Sequence, residues 1–399
     1  MITRNQNIAN LKAGYLFPEI AKRRREFAAA NPDAKIISLG IGNTTEPIKP
    51  HINAGLVEGA RKLGTTEGYS GYQDEGLPQL REKISKVFYN GKFGIDEVFI
   101  SDGAKCDIGR LQILFGSDVK IAVQDPSYPV YVDGSVLSGA AGGWDSTGYK
   151  GITYLPCTTE NNFFPNLELI QPDSLIYYCS PNNPTGAVSD RAQLTALVEV
   201  AINKGCIIIF DAAYSEFIRD SSLPKTIYEI DKADQCAIEV NSFSKPAGFT
   251  GVRLGWAVVP KAIKYAGGES LNADWGRIAG TIFNGASNVA QAGGLAVLDD
   301  EGLKEIREQT DFYLGNAKLI REALQKLGIW CIGGDNSPYI WARFPGRDSW
   351  EVFSEILEKC HVVTTPGAGF GPAGQGFVRF SAFGHRADIE EACRRIGKL

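Results

Sequence analysis

LIYYCSPNNPTGAV (175–188) and CIIIFDAAY (206–214) together decide the fold. The first is an apolar, β-favouring run that gives way to Asn, Pro, Thr and Gly, so a strand ends where the turn residues begin. From Ser189 or Asp190 a helical pattern follows, with Leu194, Leu197, Val198 and Ala201 on one face and a stop at Gly205. CIIIF is then continuously apolar, as a strand covered on both faces must be. Strand, helix and strand in succession make a β-α-β unit. The expected class is therefore α/β, a mostly parallel central sheet with helices on both faces. Asp211 falls at the C-terminal end of a central strand, with Tyr214 after it, on the rim where ligands of open α/β sheets bind. A carboxylate closing an apolar strand is costly without a cationic partner; the alternative is a capping Asp.

CAIEVNSFSKPAGFTGVRLGW (236–256) supplies cations for the same rim. Its first residues read as a buried strand ending at Ser242, and LGWAVV as a returning one. Between them, a proline, an aromatic and glycines hold Lys245 in an irregular loop. Ser242, Ser244 and Arg253 suit a phosphate, because two hydroxyls and a planar guanidinium fork match its oxygens. An amine desolvated beside another cation has a lowered pKa and can attack a carbonyl to form a Schiff base. The plain alternative is a loop with salt-bridged cations.

A second anion site is expected in EVFISDGAKCD (97–107), where a strand meets D-G-A-K at a helix start. The free N–H groups near Gly103, Ala104 and Lys105 would face outward there, unless Asp102 merely caps the turn. In QDPSYP (124–129), Tyr128 lies between two prolines, placed either to stack on a flat ring or to pack in the core.

SPNNPTG, DAAY and S-F-S-K followed by G-x-R-x-G-W, in that order, resemble the fold type I aminotransferases, across essentially the whole chain. DGAKCD, QDPSYP, FNGAS (283–287) and HVVTTPGAGFGPAGQGFVRFSAFGH (361–385) are more narrowly similar to the diaminopimelate-specific branch, in its plant more than its chlamydial form. The resemblance implies pyridoxal 5'-phosphate (PLP) on Lys245, with Asp211 at its ring nitrogen, Asn183 and Tyr214 at its ring oxygen, and Tyr128 against the ring. Its phosphate would be held by Ala104, Lys105, Ser242, Ser244 and Arg253, with Gly103 and Asn284 close by. Tyr72 would reach the phosphate from a partner subunit, although the loop at 72–76 is one residue short and leaves Tyr69 as an alternative. Arg379 would clamp the substrate α-carboxylate. Tyr15, Gly42, Lys105 and Asn284 would line the substrate site, and Glu75 would accept its distal ammonium. The implied partners are amino-acid and 2-oxo-acid substrates and a second copy of the chain, in a homodimer with shared sites. The implied reaction is exchange between LL-2,6-diaminopimelate with 2-oxoglutarate and tetrahydrodipicolinate with glutamate, in lysine biosynthesis. Another PLP aminotransferase, or a lyase on the same fold, is the competing reading.

The rest of the chain sets bounds. Its 399 residues, 44% hydrophobic and 22% charged, suit a large unit (48–298) with a smaller α+β one formed by 1–47 and 299–399. A net charge of −5 and no basic face argue against nucleic acid. Eight scattered cysteines and three separated histidines give no metal-ligand spacing, and suggest a reducing compartment. No apolar run is long enough for a bilayer, so a soluble protein is expected, in the plastid stroma if the plant likeness holds. Gly369, Gly371 and Gly374 form G-x-G-x-x-G, but a strand pattern follows instead of a helix, so the dinucleotide reading fails its context.

Overall fold

The computed structural model describes residues 1–12 and 16–399. In chain order the strands are β1 (Ile37–Ser38), β2 (Val98–Ser101), β3 (Lys120–Asp125), β4 (Ile152–Pro156), β5 (Ser174–Cys179), β6 (Ile207–Asp211) and β7 (Ala237–Ser242). They continue as β8 (Gly255–Val258), β9 (Cys331–Gly333), β10 (Tyr339–Arg343), β11 (Val362–Val363), β12 (Thr365–Pro366) and β13 (Phe377–Ser381).

Seven of them form one sheet in the order β2-β8-β7-β6-β5-β3-β4. Every neighbouring pair is parallel except the two that involve β8, which runs against both β2 and β7. The uninterrupted apolar strands have the cause expected of them: Ile208 and Phe210 pack into one core cluster and Ile209 into another, on opposite faces. In β5, Ile176 and Tyr178 likewise separate from Leu175, Tyr177 and Cys179. The crossover helix Arg191–Asn203 buries Leu194, Leu197, Val198 and Ala201. Asp190 starts it with a capping box, accepting from the Gln193 N–H at 2.8 Å while its own N–H donates to Gln193 Oε1 at 3.0 Å.

A second, antiparallel sheet has the order β12-β13-β10-β9, and β1 pairs in parallel with β11. The long amphipathic helix spans Asp300–Lys326, capped by Asp299. Its Ala317, Ile320 and Leu324 pack with Ile340, Val378 and Phe380 of this sheet. The glycine-rich stretch forms two short 3-10 turns, Gly367–Phe370 and Pro372–Gly374, and leads into β13. All eight cysteines are free thiols. Among the described residues no helix is long and apolar enough to cross a membrane.

Candidate active site

Strands β2, β3, β5, β6 and β7 all end on one rim of the large sheet. Because β8 is reversed, it begins there, with Gly255 opposite both Ser101 and Ser242. A cavity of about 280 Å³ opens on this rim.

Its first end is built for an anion. Helix Ala104–Phe115 starts here, so the unbonded N–H groups of its first turn face the cavity. Asp102 does not cap it: its carboxylate accepts from Arg110 Nη2 at 2.8 Å, and Gly103 takes the cap position. Gly103 has φ +120°, and a Cβ on it would lie 2.6 Å from Arg253 Nη2. A Cβ on Gly255 would lie 2.8 Å from the Gly103 Cα. Only glycines let these backbones come so close. Ser242 Oγ donates to Ser244 Oγ at 2.8 Å, and Arg253 Nη1 donates to Ser244 Oγ at 3.2 Å. Arg253 itself sits at φ +68°, a left-handed conformation that an L side chain adopts at a cost and that clusters at ligand sites.

Lys245 occupies the middle, its Nζ donating to the Gly42 carbonyl. Burial, and then the charges of Arg379 and Arg253, bring its pKa down to about 8, against the pull of Asp211. Asp211 is 6% exposed and accepts from Tyr131 Oη at 2.7 Å and from the Ala213 N–H at 3.0 Å. Burial raises its pKa, and these two hydrogen bonds and Lys245 oppose the rise.

Arg379 forms the other end and is 1% exposed. Nη1 donates to Asn183 Oδ1 and Nη2 to the Gly40 carbonyl, both at 2.6 Å, while Nε has no hydrogen-bond partner. The guanidinium lies over the rings of Tyr339 and Phe370, at 4.4 and 4.8 Å. Among the described residues no carboxylate forms an ion pair with it, although a buried guanidinium ordinarily has one.

Of the residues expected from sequence, Gly42, Ala104, Lys105, Tyr128, Asn183, Asp211, Tyr214, Ser242, Ser244, Lys245, Arg253 and Arg379 line this cavity, with Gly103 beside it. Tyr15 lies outside the described residues. Tyr72, Glu75 and Asn284 are not brought to the cavity of their own chain. Tyr72 is 81% exposed and Asn284 is exposed. Glu75, expected at a substrate ammonium, instead pairs with Arg81 Nη1 at 2.8 Å. Their two loops hold each other: Asn288 Nδ2 donates to the Ser70 carbonyl at 2.8 Å, and Gly285, at φ +89°, leaves no room for a Cβ beside the Gln73 carbonyl.

Sequence reasoning missed Tyr131 and Tyr339. Tyr131 holds Asp211 and stacks on Tyr177 with centroids 5.3 Å apart, and the Tyr339 hydroxyl lies 2.8 Å from that of Tyr214. Tyr131 falls one helical turn after Tyr128, a spacing that could have pointed to it.

These groups fit the PLP that the sequence likeness implies. An anion cradle, an amine with a lowered pKa and a buried carboxylate in need of a cation lie along one cavity, matching phosphate, aldehyde and pyridine nitrogen in turn. Residues 34–396 match the family model "Aminotransferase class I and II". The chain is 54% identical to the chloroplastic LL-diaminopimelate aminotransferase of Arabidopsis thaliana, over 100% of this chain and 87% of that protein. It is 50% identical to the LL-diaminopimelate aminotransferase of Protochlamydia amoebophila, over 99% and 97%. The solved L,L-diaminopimelate aminotransferase of Chlamydomonas reinhardtii superposes with a TM-score of 0.96 at 56% identity, covering 100% of this chain and 98% of that one. The chain belongs to the class I and II aminotransferases.

Proposed function

We propose that this protein is a PLP-dependent aminotransferase that interconverts LL-2,6-diaminopimelate and 2-oxoglutarate with tetrahydrodipicolinate and L-glutamate. The observation that carries the reading is the convergence of Lys245, Asp211 and Arg379 on one cavity, an amine of lowered pKa between a buried carboxylate and a guanidinium without a counter-anion. The full-length relatives at 50–56% identity support the substrate.

When bound, PLP supplies an electron sink for the charge that develops at the substrate Cα. Ser242, Ser244, Arg253 and the helix start at Ala104 and Lys105 hold its phosphate end. Asp211 keeps a proton on the ring nitrogen, and Tyr131 keeps Asp211 in place. Asn183 and Tyr214, which line the same cavity, would hydrogen-bond the ring oxygen, and Tyr128 would lie against the ring. Lys245 in its neutral form would take the substrate Cα proton onto Nζ and hold it close to the site for redelivery, work suited to an amine whose pKa is near the working pH. Arg379 exchanges its bonds to Asn183 and the Gly40 carbonyl for the two oxygens of a substrate carboxylate. Its buried wall of Tyr339 and Phe370 excludes water from that pair.

The distal half of the substrate would meet Lys105, Gly42 and Tyr15, together with Glu75 and Asn284. The exposed positions of Tyr72, Glu75 and Asn284 favour delivery across a homodimer into the partner's cavity. In this reading residues 48–298 form the cofactor-binding unit, and 1–47 with 299–399 the smaller one. The chloroplastic relatives favour the plastid stroma as the site of action. Measuring kcat/KM on LL- and meso-diaminopimelate, aspartate, alanine and phenylalanine tests the substrate. The LL isomer is expected to lead, because inverting the distal centre leaves buried polar groups unpaired at about 1 to 3 kcal/mol each. Comparable rates on the simple amino acids would reduce the reading to a general aminotransferase, and loss of CO₂ would turn it into a lyase.

A further inference from the structure

The G-x-G-x-x-G stretch has no dinucleotide to hold, yet it is pressed against the end of β3. Gly371 has φ +137°, and a Cβ on it would lie 2.1 Å from Asp125 Oδ1. Two residues on, the Ala373 N–H donates to both Asp125 oxygens, at 3.2 and 3.0 Å. The Ser127 N–H donates to the Phe370 carbonyl at 2.9 Å. Asp125 is 3% exposed, and among the described residues Ala373 is the one hydrogen-bond donor to its carboxylate. Burial lifts its pKa to about 7, and the Ala373 bond opposes the rise. A buried carboxylate with no cation costs stability, so its retention calls for a use.

Its position supplies one. Asp125 ends β3 of the large sheet, and Tyr128, which lines the cavity, follows in the same turn. Ala373 leads into β13 of the small sheet, which carries Arg379. Phe370, in the same glycine stretch, packs against the Arg379 guanidinium. The contact therefore joins the two walls of the cavity that come from different sheets. We propose that Asp125, gripping the Ala373 N–H through the opening left by Gly371, is a positioning residue that sets the distance between the Tyr128 turn and the Arg379 clamp. It touches neither substrate nor cofactor, and acts through those two side chains. This rests on the aminotransferase reading for its consequence, but not for its geometry.

The test compares Asp125→Ala, Asp125→Asn and Gly371→Ala with the native holoenzyme in cofactor content, melting temperature, KM and kcat. For Asp125→Ala, KM for amino donor and for 2-oxo acid is expected to rise about tenfold or more, with kcat changed far less. Asp125→Asn keeps a carbonyl oxygen for the Ala373 N–H and should recover most of the loss. Gly371→Ala should reproduce the Asp125→Ala pattern, because the added methyl pushes Asp125 away. Calorimetric binding of glutarate, a dicarboxylate that cannot react, should weaken in parallel. Unchanged KM and glutarate affinity in Asp125→Ala, an Asn variant as poor as the Ala variant, or losses confined to kcat and melting temperature would each overturn the proposal. If native enzyme transfers no amino group, the activity reading fails, while the glutarate series still decides for or against Asp125.

Discussion

At the anion end of the cavity, Ser242, Ser244 and Arg253 already bond one another, and glycines at 103 and 255 bring their backbones together. On the paired loops at 69–76 and 283–288, Tyr72 and Asn284 are exposed and Glu75 is turned to Arg81. Both regions carry residues of the same expected site, and both are held firmly. The difference is that the first is complete within one chain, whereas the second presents its side chains outward. The difference separates groups that line the cavity of their own chain, Arg379 and Lys105 among them, from polar groups that stay exposed outside it, the division that a site shared between two copies would require.

That contrast can be broken at several points. The largest effect is expected for Lys245→Ala, a loss on the order of 10⁴-fold or more in turnover, since both nucleophile and proton carrier go. Cofactor should still bind through the anion end, as equilibrium dialysis would detect, and substantial turnover would remove Lys245 from the centre of the reading. Asp211→Asn should lower kcat by about 10²-fold or more, because an amide cannot hold a proton on the ring by charge. A near-native rate would give the ring nitrogen another partner. Mixing Lys245→Ala chains with Tyr72→Phe chains tests the division directly: activity should return in the mixture, from sites pairing a native cofactor half with a native loop. No recovery would put Tyr72 to work on its own chain.

The smallest effect concerns protons alone. With its pKa brought to about 8, Lys245 should be neutral and reactive above that pH, while exposed lysines wait until about 10.4. In cofactor-free protein, the rate of Lys245 acylation followed by mass spectrometry should therefore have its midpoint near 8. Removing a neighbouring positive charge with Arg253→Gln should move that midpoint upward. An unmoved midpoint would leave burial and the Arg379 charge as the causes of the lowered pKa.

The cofactor half was legible because its signals are local. CIIIF, short, β-branched and preceded by Gly205, reads as a doubly covered strand, and S-F-S-K followed by Arg253 places its cations on one loop. The helix Pro50–Leu63 is harder to delimit, because Pro50 serves as its first residue rather than as a breaker. Strands β4 and β9 escaped because both are short, partly exposed and without alternation. Tyr131 and Tyr339 escaped because a tyrosine on an apolar face looks like core until its hydroxyl is seen to meet Asp211 or Tyr214. The Glu75–Arg81 pair was illegible for a related reason: nothing in the spacing of the two residues tells whether a carboxylate near a helix start faces a ligand or its own neighbour.

The reversed strand β8 has one more consequence. Because the chain leaves the rim at Ser242 and re-enters it at Gly255, the excursion carrying Lys245 and Arg253 is tied shut at its base by strand pairing. Its contents keep their mutual spacing whatever happens at the far edge of the sheet, where the other parallel strands begin. The molecule thus has a conservative margin and a permissive one. Residues added at exposed Ser117, ahead of β3, would lengthen a turn on the permissive margin and leave the chemistry untouched, whereas one residue added between 242 and 255 would displace amine and phosphate anchor against each other.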